Sequence, residues 1–531
     1  MKHCKIALML LTTVVFVSAK MAATSRIYDL PAIVFPDDVV QALERADKNR
    51  DELQQVLVHY SQTRDSLELR AAYFLIGNME GHSYVTYFLK DTLGNAVDFN
   101  ALNYPNYDSL TADFKQLEAK HGTLDFDRKQ TLEDLDVITA DFLIKQIDYA
   151  FKAWRERPWA KKLTFDQFCE YVLPYRGSDE PLEDWRGAFW SKYQDLPKTM
   201  ADSTDPLEAS KKINDDVKTW FSFDERYYFH PTDQGITEML TNHKGRCEDM
   251  TNATIYAMRA NGLAVTSDYT PFWANCGNNH AWNAILTPNG QVIPFMGAEA
   301  NPGDYRLAHK YAKVYRKTYG KQLQNLVFQP HKQEKLAPRL AGKNYKDVTA
   351  EYGPVCNVTR TLSFPAPDTI DIAYICVFNE GEWKPIDWGR RTDSGLVTFT
   401  DMAKDVVLLA GLYVDGKIQP IGEPFLIRDD CSVQPLTVTQ GATTELELTA
   451  TTARVLEVST DGVSKKPPTP GTEYELFYWQ DGWKSLGKAT AGKDPLVFQK
   501  VPTDCLYRLV ATGSDKDERV FTIEDGKQVW W

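Results

Sequence analysis

Two side chains in this sequence are spaced for nucleophilic chemistry, the thiol of Cys247 and the imidazole of His280. A thiolate attacks a carbonyl carbon, while a neighbouring imidazole takes up the thiol proton and returns it to the leaving group. Cys247 stands in Gly245-Arg246-Cys247-Glu248-Asp249, followed by Met250, Ala253, Ala257 and Met258, an apolar stripe at helical spacing. Gly262, after Arg259-Ala260-Asn261, reads as a left-handed stop with Leu263 folding back. Cys247 is therefore expected at the N-terminus of an amphipathic helix, with Gly245 giving clearance just before it. Such a terminus favours an anion by roughly 0.3–2 kcal/mol, while a thiol of pKa about 8.5 is only a few per cent ionised at pH 7. The helix alone does not ionise the thiol. An imidazole partner is needed.

The histidine follows at a suitable place. Ala264 to Thr270 reads as a strand, Pro271 to Asn279 as a loop, and His280 to Leu286 as the next strand. Pro288-Asn289-Gly290 makes a hairpin turn, from which Gln291 to Phe295 returns antiparallel. A cysteine on a helix followed by a histidine on a strand is the order of a papain-like core.

The segment resembles the transglutaminase-like superfamily, whose core pairs a G-x-C-x-D helix start with an H-A-W-N strand. Gly245, Cys247, Asp249, Arg259, Gly262, His280, Ala281, Trp282 and Asn283 carry the resemblance, which spans residues 205–300. It implies that Cys247 attacks a carboxamide or peptide carbonyl to form a thioester. His280 would protonate the leaving amine and then activate water or an acceptor amine. It also implies a third member, an aspartate on the returning strand in a W-V-P-x-D context. Here the run is Val292-Ile293-Pro294-Phe295-Met296, and Met296 cannot orient an imidazole. Loss of that acceptor in a serine triad costs about 10⁴ in turnover. Glu299 is the candidate replacement, provided a turn at Gly297 brings it back to His280. Asn283 is a poor one, because strand alternation puts it on the opposite face.

Trp273, Asn279 and Trp282 are the candidate substrate-binding residues. Cys276, four residues before His280, either packs or pairs with Cys247. A zinc site from Cys247, Cys276, His280 and His243 lacks any Cys-x-x-Cys spacing, so neither metal nor cofactor is expected.

The elements that position these residues belong to a chain of 531 residues, enough for three or four domains. A hydrophobic content of 43% allows several cores, and a formal charge of −13 argues against nucleic acid as a partner. Lys2 and Lys5, the apolar Ile6 to Val17, and Val17-Ser18-Ala19 read as a secretory signal over 1–19. No later apolar run is long enough to span a bilayer. Of eight cysteines seven remain after removal of Cys4, so in an oxidising compartment at least one thiol stays unpaired.

Residues 20–204 carry helical periodicity, including Val39, Val40, Leu43 and Ala46, then Leu53, Val56, Leu57 and Tyr60. Asp47 to Asp51 begins like a calcium loop but lacks its glycine and its closing glutamate, so a solvated helix junction is expected. Arg176 and Arg186, among Tyr171, Tyr175, Trp185 and Trp190, read as a structural corner. The core occupies 205–330, and the lysine- and proline-rich 331–346 reads as a linker. Beyond it the pattern is short strands, and it repeats. Gly381-Glu382-Trp383-Lys384 returns as Gly482-Trp483-Lys484, and Pro424-Phe425-Leu426-Ile427 as Val520-Phe521-Thr522-Ile523. Two β-sandwich modules, 347–430 and 431–531, account for this. Trp383, Trp388 and Trp483 are candidates for stacking on sugars, though repetition at equivalent positions favours core packing for Trp383 and Trp483.

The expected architecture is a multidomain α+β protein, with a helical N-terminal region, a transglutaminase-like core and two C-terminal β-sandwich modules. The expected function is an exported cysteine protease or amidase acting on protein or peptide, with glycan or glycopeptide as further partners. The alternatives are a catalytically decayed scaffold that binds protein or glycan, and a cross-linking acyltransferase.

Overall fold

The helix that starts at Cys247 does run as the apolar stripe predicts, over Cys247–Arg259 (α1). The computed structural model describes residues 35–332, 334–361, 367, 369–455, 463–513 and 519–531. The expected signal over 1–19 lies outside the described residues. Gly262 ends α1 at φ +72°, where the Leu263 N–H reaches back 3.1 Å to the Met258 carbonyl. A Cβ there would also lie 2.9 Å from the Ala153 carbonyl oxygen, so glycine is required on two counts.

The amphipathic expectation is corrected by what surrounds α1. Every residue of α1 except Glu248 is buried, because helices cover the side that the sheet does not. Most of the polar ones find partners inside, the Thr254 hydroxyl being left without one. Asn252 Nδ2 donates to Ser178 Oγ at 2.7 Å, and Arg259 donates to the carbonyls of Val265 at 3.0 Å and Arg176 at 2.6 Å.

Against α1 lies an antiparallel sheet. Val265–Thr270 (β1) pairs with His280–Leu286 (β2), which pairs with Val292–Phe295 (β3). On the other side of β1 come Tyr315–Lys317 (β4) and Tyr345–Asp347 (β5), giving the order β3-β2-β1-β4-β5. The stretch 331–346 expected as a linker thus ends in the edge strand of the core sheet. Three residues are too few to show a period, and only pairing with β4 makes them a strand.

Helices Asp37–Arg45, Arg50–Ser61, Ser66–Gly77 and Ala140–Glu156 precede the core. A short 3₁₀ turn, Asp47–Asn49, joins the first two. Their apolar faces, with Leu143, Ile147 and Phe151, share one continuous cluster with Met250, Ile255 and Trp282, so these helices and the core bury each other. Helical periodicity missed one antiparallel strand pair, Ser83–Lys90 against Asp125–Glu133, with the helix Tyr107–His121 between them in sequence. Its first strand, Ser83-Tyr84-Val85-Thr86-Tyr87-Phe88, is rich in β-branched and aromatic residues. The arginine corner is internal. Arg186, 0% exposed, donates to the carbonyls of Val172, Leu173 and Pro174, and Arg176 donates through Nε to Asp134 at 2.7 Å.

The two β-modules repeat one topology. In the first, Ile372–Asn379 lies between Glu382–Arg390 and Val406–Val414; in the second, Glu473–Trp479 lies between Trp483–Thr490 and Tyr507–Ala511. Val355–Thr361 pairs with Leu396–Ala403 as Thr443–Leu448 pairs with Leu496–Pro502. Even the bulges correspond, at Ile375/Cys376 and at Leu476/Phe477. Val433–Pro435 pairs with Phe425–Ile427, so the first module's sheet runs past residue 430, and a disulfide, Cys356–Cys431, ties its two ends. Trp383 and Trp483 pack in an apolar cluster between the modules with Phe378 and Trp479, their rings 5.1–5.9 Å apart edge to face. Trp388 packs against a cluster containing Tyr315 and Tyr345.

Candidate active site

The start of α1 explains the spacing Gly245, Cys247, Asp249. Asp249 is buried and accepts the backbone N–H groups of Arg246 and Gln234, each at 2.9 Å, which caps the helix from its third residue. A Cβ on Gly245 would lie 2.5 Å from Asp249 Cβ and 2.7 Å from Gln234 Nε2, so the cap forms only over glycine. Arg246 is held by the carbonyls of Tyr227 and His230, both at 3.2 Å, and by Asp233 at 2.5 Å. Cys247 is thereby fixed from both flanks.

Cys247 is 5% exposed, and its thiol donates to Glu248 Oε2 at 2.9 Å. Burial pushes the thiol well above its ordinary range and the Glu248 carboxylate adds to this, while the Ala281 N–H on the sulfur and Arg246 work the other way. The Ala281 contact sets the register of the site. It puts the backbone of the residue after His280 against the sulfur, and the Glu248 carboxylate bears on both Cys247 and His280.

His280 is half-buried, with its ring 5.8 Å from that of Trp273 in a stacked arrangement. Its Nε2 lies 2.9 Å from the Tyr305 hydroxyl. Burial pushes the imidazole down to about 4; Glu248 opposes this, and His309 adds to it. Near neutral pH the resting pair is therefore a thiol and a neutral imidazole. Such a pair reacts by handing the proton over as sulfur adds to the carbonyl.

The remaining candidates divide. Trp273, 5% exposed, lies beside His280. Asn279 is half-buried at the entry to β2. Trp282 is 0% exposed, and its Nε1 donates at 2.7 Å to Tyr352, which donates at 2.7 Å to Asp268. A ring with no exposed face has none to offer a substrate, so the structure gives Trp282 a packing role. Glu299 is exposed, and no hydrogen bond joins it to His280. The turn expected at Gly297 does form. It closes tightly on Met296, whose carbonyl accepts the N–H groups of Glu299 at 3.2 Å and Ala300 at 2.9 Å. Asn283 Oδ1 holds the Gly297 N–H at 3.0 Å, where a Cβ would collide with Thr254 Oγ1 at 2.3 Å. Met296 is 1% exposed and apolar.

The group that does meet Nε2, Tyr305, escaped sequence reasoning. It sits in irregular chain 25 residues beyond His280, with no periodicity or spacing to mark it. Tyr228, 41% exposed, stands on the open side, close enough to Cys247 and Glu248 for both to push its phenol upward after burial has done so. Cys247 and Cys276 are not bridged, and no cluster of metal-ligating side chains occurs among the described residues.

None of the curated proteins compared matches the chain. Among solved structures, the crystal structure of red sea bream transglutaminase is similar at 8% identity, covering 88% of this chain and 79% of that one, with a TM-score of 0.20. The family model of the transglutaminase-like superfamily matches residues 194–295, a span that holds Cys247, His280 and the strands between and after them. Residues 194–295 are thus a domain of the transglutaminase-like superfamily.

Proposed function

We propose that the protein is an exported cysteine hydrolase that cleaves peptide or carboxamide bonds through a thioester on Cys247. The observation that supports this reading is the Glu248 carboxylate, which bears on both the Cys247 thiol and the His280 imidazole, with the Ala281 N–H on the Cys247 sulfur beside it. With Nε2 held by Tyr305, the other ring nitrogen is left for the thiol side. In this reading the imidazole takes the thiol proton as the C–S bond forms. The tetrahedral adduct collapses with loss of the amine, which leaves carrying that proton. Water then attacks the thioester, giving its proton to His280 and releasing the acid, and the thiol is restored.

Hydrolysis is preferred to cross-linking because an exported protein meets water in vast excess over acceptor amines. The scaffold reading draws on Met296, which offers the imidazole nothing. One experiment separates the three. The chain is mixed with p-nitrophenyl acetate, with and without methylamine, and p-nitrophenolate release and intact mass are followed. An acetyl adduct that is absent in Cys247→Ala, slow to form and to clear in His280→Ala, and lost to water supports the hydrolase. Preferential appearance of N-methylacetamide supports the acyltransferase. No adduct on Cys247 leaves the scaffold.

A further inference from the structure

The loop 271–279 between β1 and β2 serves two apolar cores at once. Phe272 and Ala274 enter the core of the first β-module, where Ala274 is 4% exposed among Val358, Ile375, Val377 and Phe399. Trp273, between them, turns the other way into the catalytic core and stacks on His280. The alternation is that of an extended chain, with successive side chains on opposite faces.

The backbone of this loop is bound by both modules. Asn379, 0% exposed at the end of its strand in the first module, aims Nδ2 at three loop carbonyls: Trp273 at 3.0 Å, Cys276 at 2.8 Å and Asn278 at 3.0 Å. Its Oδ1 is buried without a hydrogen-bond partner, a cost that an apolar residue would avoid. Arg519 of the second module, 5% exposed, donates to Ala274 at 2.6 Å, to Phe378 of the first module at 2.5 Å and to Trp531 of its own module at 2.9 Å. A single guanidinium thus joins three units with backbone oxygens as its acceptors. The neighbouring chain is tied in as well. The Lys310 carbonyl accepts the Ala274 N–H at 2.7 Å, while its ammonium pairs with Asp405 and lies 5.1 Å from the centre of the Trp531 ring.

We propose that the β-modules are part of the catalytic apparatus, with Asn379 and Arg519 as positioning residues that hold loop 271–279 so that Trp273 keeps His280 turned toward Cys247. The inference rests on the Cys247–His280 reading above. Loosening the loop leaves Trp273 free to move off the imidazole, and a displacement of about 1 Å in a reacting group is enough to cost about 10²-fold in rate.

The test uses the full chain and its acylation by p-nitrophenyl acetate across pH, with Cys247→Ala as the blank and melting curves recorded alongside. Asn379→Ala and Arg519→Lys are each expected to slow acylation at least tenfold and to make its pH profile resemble that of His280→Ala, while unfolding stays cooperative. In a Trp273→Ala background Asn379→Ala should add less than twofold, because it acts through that ring. Arg428→Ala, which removes an exposed contact between the modules with Glu524, should leave the rate within twofold. If Asn379→Ala does not fold, Arg519→Lys carries the test, since it keeps the charge. Wild-type profiles in the folded variants would overturn the inference alone. Equal rates in wild type and His280→Ala would overturn the reading beneath it, and the inference with it.

Discussion

Tyr305 presents its hydroxyl to His280 Nε2 at 2.9 Å, while Met296, where the family has an aspartate, is apolar and buried. A phenol is a weaker anchor than a carboxylate, because it brings a dipole instead of a charge. It still fixes the ring. Tyr305→Phe is therefore expected to slow acylation of Cys247 about tenfold with a loss of about 1 kcal/mol in stability. Glu299→Gln should change the rate less than twofold. Equal losses in the two variants would return Glu299 to the site.

Glu248 makes the thiol a poorer acid. Its carboxylate accepts the thiol proton's hydrogen bond and adds to the upward push of burial on Cys247, so removing its charge lowers the thiol's pKa and raises the thiolate fraction at any given pH. Glu248→Gln should speed alkylation of Cys247 by iodoacetamide at pH 8 severalfold, with the midpoint of the pH–rate curve displaced downward. A midpoint that stays put would mean the carboxylate does not reach the sulfur in solution. The same carboxylate raises the imidazole, so in this variant His280 should titrate lower still.

Burial holds His280 at about 4, and the sign of its effect follows. Below the ordinary histidine range the unfolded chain takes up a proton that the folded chain refuses. Stability is therefore complete above about pH 6.5 and declines as pH falls toward 4. Acylation should accordingly persist to near pH 5, without an acid limb centred at 6.5. Histidine titration followed by NMR checks both points, and a midpoint above 6 for this ring would contradict them.

Trp282 is a beam of the core. Its loss removes a fully buried ring and leaves Tyr352 without its donor. Trp282→Ala should cost about 3–5 kcal/mol in denaturant melts. Trp282→Phe should keep the affinity for any substrate while losing part of that stability. A rise in KM without a change in melting would point to substrate contact instead.

Much of this was legible because its signals are local. The helix from Cys247, its stop at Gly262 and the strand from His280 each follow from a few neighbouring side chains, and all three stand as expected. The paired modules were legible because turn glycines such as Gly381 and Gly482, both at positive φ, recur at matching points. What depended on distant partners was not. The strand Tyr345–Asp347 exists only through β4, and Tyr305 reaches His280 only through irregular chain. The polar side chains of α1 read as a solvated face because the helices that cover them lie far away in the sequence.

That enclosure has a consequence for change. Twelve of the thirteen positions of α1 are closed, so a substitution there must first be accommodated by the surrounding walls. Glu248 alone opens toward the outside, next to the sulfur. It is the dial of the site: the one point on the helix where new chemistry can be tried against the nucleophile while the frame around it is left standing.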